Sequence, residues 1–88
     1  MRMGDLPSET IAAINYILSL EESSRPDWEE VRLICGQELS RLNETGSWEQ
    51  VDDTPYHFLE DCDIRQKDYA YGEIQRKKMR DFLEANRQ

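Results

Sequence analysis

The sequence contains little of what usually marks an active site. It has two cysteines, one histidine and four glycines in 88 residues. Two cysteines outside any Cys-x-x-Cys pair exclude a disulfide scaffold, a zinc ribbon and a thioredoxin-like motif. The glycines are too far apart for a phosphate-binding loop, and one histidine without a Gly-x-Ser-x-Gly motif makes no nucleophile triad. We therefore expect no enzymatic activity and no cofactor.

Long apolar segments are also absent. The most apolar stretch, residues 11–20, is interrupted by Asn15 and Ser19 and is much shorter than the roughly 20 residues that cross a bilayer. No apolar segment follows the first residues, as a secretory signal would require. We expect a cytoplasmic protein that does not bind membranes.

Positive charge is scarce. Asp and Glu outnumber Lys and Arg by 19 to 11, for a net charge of −8. A protein that binds nucleic acid must supply cations to the phosphates, so we expect no nucleic-acid partner. The charge is uneven, because residues 1–63 are strongly acidic and residues 64–88 are mildly basic.

The helical periodicity of the apolar residues predicts an all-α fold, a small bundle in one domain over residues 1–88. Prolines at positions 7, 26 and 55 each precede a periodic segment, and proline suits the first turn of a helix. Three main helices and one short helix are predicted, at about 7–22, 26–43, 55–61 and 64–85. Gly36 lies inside the second helix, where close packing against a neighbouring helix would explain it.

Two apolar stripes after residue 55 differ in phase. Counting 100° per residue, one arc is shared by Tyr56, Leu59 and Cys62. Another arc, rotated from the first by roughly 100–130°, is shared by Ile64, Tyr71, Ile74 and Phe82. A straight helix cannot direct both arcs at one core, so we predict a break near Cys62-Asp63. Asp63 would cap the new helix, and Arg65 would form exposed salt bridges with Asp61 and Asp68.

One cluster could bind a metal. His57 and Asp61 are four residues apart, on one face of a predicted helix, and further acids lie beside them. Zinc sites usually combine more cysteine and histidine than this. We therefore expect a solvated acidic turn, with His57 and Asp61 as the candidate ligands of the alternative, metal-binding interpretation.

Several large apolar residues fall outside the predicted core stripes. If they converge on the surface they form a contact patch, so we expect them to be interface residues. They are Tyr16, Leu20, Leu33, Tyr69 and Leu83.

The sequence thus favours a non-catalytic helical protein that acts through protein–protein interaction, with a second copy of the chain as one candidate partner, in a homodimer. The alternative is an acidic inhibitor or decoy, similar to an immunity protein or an antitoxin, that covers a basic protein. Its binding surface would be acidic, built from residues 44–63 and rimmed by Tyr56 or Phe58. The basic run at residues 76–80 is expected to be a solvated helix face.

Overall fold

A computed structural model describes residues 7–45 and 53–85 of the chain. Within these ranges the protein is all-α and has no strand, which confirms the predicted fold class. The helices are α1 (Ser8–Glu21), α2 (Trp28–Thr45), α3 (Asp53–Glu60), α4 (Cys62–Lys67) and α5 (Tyr69–Ala85).

Local polar contacts explain where two of these helices begin. The side chain of Asp27 accepts a hydrogen bond from the backbone N–H of Glu30 at 3.1 Å, which caps α2. The side chain of Asp68 accepts one from the backbone N–H of Tyr71, also at 3.1 Å, and caps α5 in the same way. At the start of α1 the backbone carbonyl of Pro7 accepts the N–H groups of Thr10 and Ile11.

The chain turns twice where the sequence predicts one break. The first turn is at Asp61, between α3 and α4, one residue before the predicted position. The second is at Asp68, whose extended backbone (φ −126°, ψ 101°) separates α4 from α5 and divides the helix predicted for residues 64–85. The predicted cap at Asp63 is wrong, because Asp61 precedes α4 and its side chain makes no cap hydrogen bond.

The core lies between α1, α2, α3 and α5, with α4 packed against α2 and α5. Apolar side chains from each of the five helices fill it, and those spaced three and four residues apart along α1 and α2 supply most of them. The buried set is Ile14, Ile17, Leu18, Val31, Cys35, Leu42, Phe58, Leu59, Cys62 and Met79.

The buried face of α5 differs from the predicted one. The apolar stripe predicts that Ile64 and Ile74 point inward, but both are exposed, Ile74 by 58%. The buried positions of α5 are instead Gly72, Gln75, Arg76 and Met79, of which only Met79 is a large apolar residue. The predicted stripe is therefore only partly correct for this helix, since Phe82, which also belongs to it, packs against the core.

The packing explanation for Gly36 is also wrong. Gly36 is exposed, and a Cβ atom added there would meet nothing within 4 Å. Gly72 is the glycine that close packing requires, since a Cβ atom there would lie 3.0 Å from Nη1 of Arg76.

Candidate functional site

The most unusual feature of the structure is a buried arginine at its centre. Arg65 on α4 is 1% exposed, and its guanidinium carbon lies 3.9 Å from the centroid of the Phe58 ring. Its Nε and Nη2 atoms donate to the carboxylate of Glu21 at 2.8–3.0 Å. Its Nη1 atom donates to the backbone carbonyl of Phe58 and, at 2.7 Å, to Oε1 of Gln75. The charge is thus buried only because its hydrogen bonds are supplied from three other helices.

A second arginine completes the pairing of Glu21. Nη1 of Arg76 donates to Oε1 of Glu21 at 2.8 Å, and the side chain of Arg76 is nine-tenths buried. The Glu21 carboxylate accepts from three N–H donors, of which the Nε–H of Arg65 is shared between both oxygens. Both oxygens of Glu21 are therefore engaged by the two guanidiniums.

The network continues towards the surface through an amide. The side-chain oxygen of Gln75 accepts the hydrogen bond from Arg65, and its Nε2 atom donates to Oδ2 of Asp61 at 3.1 Å. The hydroxyl of Tyr71 donates to the same oxygen at 2.7 Å, and this bond is the main reason that the pKa of Tyr71 is raised. We call the set Glu21, Asp61, Arg65, Tyr71, Gln75 and Arg76 the buried network. It has two cations and two anions, and it joins the end of α1 to the α3–α4 turn and α5.

The two cysteines adjoin this network. Cys35 on α2 and Cys62 on α4 are free and buried. Burial raises the pKa of the Cys35 thiol to about 12, with the nearby Cys62 contributing in the same direction. Because the thiolate is the reactive form, Cys35 is a packing residue and not a nucleophile at neutral pH.

A surface groove lies beside the network and is lined in part by its members Glu21 and Arg76. We call it the α5 groove. One side consists of residues 21–24 and 26, from the end of α1 and the following turn. The other side consists of α5 residues 69, 73, 76, 77, 80 and 81. Tyr69 stands on this second side with 73% of its surface exposed.

The five predicted interface residues divide into two groups. Tyr16, Leu33 and Tyr69 are exposed, on α1, α2 and α5 respectively. Leu20 and Leu83 pack against the core and are half-buried. The structure therefore does not gather the five into one patch, and of the five only Tyr69 lines the α5 groove.

The candidate metal ligands His57 and Asp61 are used differently from each other. Nδ1 of His57 lies 3.8 Å from Oε1 of Glu60, and both side chains are about half exposed. Asp61 is engaged by Tyr71 and Gln75. Over residues 7–45 and 53–85, no group of three or more His, Cys, Asp or Glu side chains has the arrangement of a metal site.

No local pattern in the sequence indicates the buried network directly. The prediction that Arg65 forms exposed salt bridges with Asp61 and Asp68 is wrong, because Arg65 is buried against Glu21, 44 residues away. The prediction of a solvated Arg76 is wrong as well, because this residue is paired with Glu21 at a separation of 55 residues. One local signal is Gly72, which leaves room for the guanidinium of Arg76 one helical turn further along.

Among the described helices, none combines the length and the apolar character needed to cross a lipid bilayer. No protein-family model, no curated protein and no solved structure matches this chain.

Proposed function

We propose that this chain is a non-catalytic helical protein that acts by binding another protein. The observation that carries the proposal is the set of large apolar side chains left exposed around a closed core. Within the described part of the chain there are six such side chains, those of Ile11, Tyr16, Leu33, Ile64, Tyr69 and Ile74. Complete burial of a fully exposed apolar side chain is worth about 1.5–3 kcal/mol. Because these six are 37–73% exposed, a partner gains part of that amount for each one that it covers.

Tyr69 is the strongest single anchor in this set. Tyrosine is enriched among the residues that dominate binding energy at protein interfaces, because it offers a large rigid ring with a polar end. At 73% exposure, Tyr69 is the most exposed of the six. Its position on the wall of the α5 groove places it beside a concave surface that a partner segment can enter.

Charge favours a basic partner, which supports the acidic-inhibitor interpretation. The buried group of Glu21, Arg65 and Arg76 carries one net positive charge, so the remainder of the chain is one unit more negative than its net −8. Two other cations of α5 are also neutralised, since Lys77 pairs with Asp81 and Arg80 with Glu22. A second copy of the chain would bring the same negative charge to the interface, and apolar burial would have to outweigh that repulsion.

The acidic surface predicted at residues 44–63 is not the surface that we propose for this binding. Phe58, expected on its rim, is fully buried beneath Arg65, and Tyr56 is half-buried. Residues 46–52 lie outside the described ranges. The α5 groove is the better supported docking surface.

We propose a cytoplasmic location for this activity. The chain has only two cysteines and no disulfide scaffold, as is typical of proteins of the reducing cytosol. Alkylation of the denatured protein immediately after cell lysis tests this, and a disulfide between Cys35 and Cys62 in freshly lysed cells would contradict it.

Two measurements test the proposed function. The full chain is immobilised and used to capture proteins from its source cells, with an unrelated acidic protein of equal net charge as the control bait. Its mass in solution is measured by light scattering over a range of micromolar concentrations. One partner enriched over the control bait, or a dimer that forms with concentration, supports the proposal. A strict monomer that enriches nothing contradicts it.

A further inference from the structure

We propose that Tyr69 and Glu73, on the α5 side of the α5 groove, form a receptor for a cationic side chain of the partner, an arginine guanidinium or a lysine ammonium. The inference rests on the proposed function and specifies the chemistry of its contact. It follows from three observations, which are the geometry of the two residues, the charge pairing around them and the exposure of the tyrosine ring.

The two residues are held together one helical turn apart. The hydroxyl of Tyr69 donates to Oε2 of Glu73 at 3.0 Å, so the ring and the carboxylate have a defined relative position. This bond is the main cause of the raised pKa of Tyr69, because it stabilises the protonated hydroxyl. The ring face remains open to solvent. A cation placed there would contact the negative face of the ring and the carboxylate together.

Glu73 differs from the other acids of the groove in its charge balance. Glu21 is paired with Arg76, Glu22 with Arg80, and Asp81 with Lys77. Within the described part of the chain, no Lys or Arg nitrogen lies within 4.0 Å of the carboxylate of Glu73, which contacts Tyr69 instead. Lys77, four residues from Glu73, is directed to Asp81 at 3.2 Å.

This pairing pattern selects the class of ligand. An incoming cation finds at Glu73 a carboxylate that no ion pair occupies, beside an aromatic face. An incoming anion would be repelled by Glu73 and would have to break the ion pairs of Arg80 or Lys77. A basic partner also agrees in sign with the net charge of −8.

The test uses a short arginine-rich peptide as the probe and the isotope-labelled full chain as the receptor. Backbone amide shifts are followed during titration at low salt. We expect the largest shifts at residues 69–77. We expect the affinity to fall by about fivefold in Tyr69→Leu and in Glu73→Gln, the loss of one exposed cation–π contact or ion pair. Tyr69→Phe keeps the ring and should lose less.

Matched controls separate this site from general attraction to an acidic protein. Tyr16→Leu removes another exposed tyrosine, and Glu44→Gln removes another exposed carboxylate, on α1 and α2 respectively. Both should leave the affinity within about twofold of the wild type, and thermal melts establish that every variant folds. Equal losses in the control and test variants, shifts centred on another face, or no binding of the peptide would each overturn the inference.

The same variants keep this inference distinct from the proposed function. If the captured partner, or the dimer, persists with unchanged affinity in Tyr69→Leu and Glu73→Gln, the receptor assignment fails and the interaction function stands. If the wild-type chain binds no protein at all, the function itself fails, and a contact to the peptide does not restore it.

Discussion

Arg65 is the largest fully buried side chain among the described residues, and it carries a charge. A guanidinium moved from water to the interior loses several kcal/mol of hydration free energy. In the folded protein this loss is offset by contacts with Glu21, Gln75, the Phe58 carbonyl and the Phe58 ring. A buried pair of this kind is sensitive to the loss of either member. The remaining charge is then left in a site where water cannot reach it.

Replacing Arg65 should therefore be far more damaging than replacing an exposed arginine. Arg65→Met removes the main partner of Glu21 and should lower the free energy of unfolding by about 3–5 kcal/mol. The control is Arg80→Met, which breaks a half-exposed pair with Glu22 and should cost less than about 1 kcal/mol. Urea unfolding of both variants measures the difference. Losses of equal size would show that Arg65 is not held as described.

The Cys35 thiol gives the protein a defined sensitivity to alkali. In the unfolded chain the thiol ionises near the ordinary cysteine pKa of 9.0, whereas the folded thiol stays protonated until about 12. The unfolded state thus releases a proton that the folded state retains, so stability is complete below pH 9.0 and falls as pH rises towards 12. We expect Cys35→Ala to have a shallower alkaline decline than the wild type in denaturant unfolding. Parallel declines would contradict the assignment, since the tyrosines contribute equally to both proteins.

At the scale of the element, the break between α4 and α5 depends on one side chain. Asp68 has an extended backbone, and its carboxylate accepts the N–H of Tyr71. Asp68→Ala should cost about 1 kcal/mol of stability because that N–H loses its partner, whereas Asp68→Asn retains an acceptor and should cost little. Thermal unfolding compares the two. If alanine is tolerated as well as asparagine, the cap is not responsible for starting α5.

Two helical glycines should respond to alanine in opposite directions. At Gly36 the new methyl group meets no atom, so Gly36→Ala should stabilise α2 by about 1 kcal/mol through helix propensity. At Gly72 the methyl group would lie 3.0 Å from Nη1 of Arg76, which is held by Glu21, so Gly72→Ala should lower stability despite the same gain in propensity. Chemical denaturation of both variants is the measurement. Equal stabilisation would show that Arg76 is free to move aside.

The same elements show what the sequence could and could not predict. Apolar residues at helical spacing predict α1 and α2 correctly, because their buried faces are made of side chains such as Ile14 and Val31. The same spacing fails in part at α5, where Phe82 packs against the core but Ile74 is exposed and the buried face contains Gln75 and Arg76. A prediction from apolar periodicity assumes that buried residues are apolar. In this helix, hydrogen bonds from other helices offset the desolvation of the buried polar side chains.

The candidate site is predictable in part. The exposure of Tyr69 is predicted from the sequence because the residue lies off the apolar stripe, which depends only on local spacing. The buried network cannot be predicted in this way. Glu21, Arg65 and Arg76 meet only after the chain has folded, across separations of 44 and 55 residues. Charged residues far apart in sequence carry no local pattern that assigns them to one another.

At the scale of the whole molecule, the fold removes basic groups from the surface of an already acidic protein. Arg65 and Arg76 are buried, and Lys77 and Arg80 are engaged by acids of the α5 groove and its edge. Within residues 64–85, Arg65 and Arg76 are thus withdrawn from the surface and Lys77 and Arg80 are paired, while Lys67 and Lys78 remain exposed. Because the chain has a net charge of −8, the exposed apolar residues lie on a largely negative surface, which favours a positively charged partner.

The most direct test of a basic partner at the α5 groove is capture by the full chain from its source cells, followed by elution with increasing salt. We predict one enriched basic protein, retained at low salt and released as the salt rises, with reduced retention by a bait that combines Tyr69→Leu and Glu73→Gln. Enrichment of no protein over the acidic control bait, together with a monomer at every concentration, would contradict this prediction.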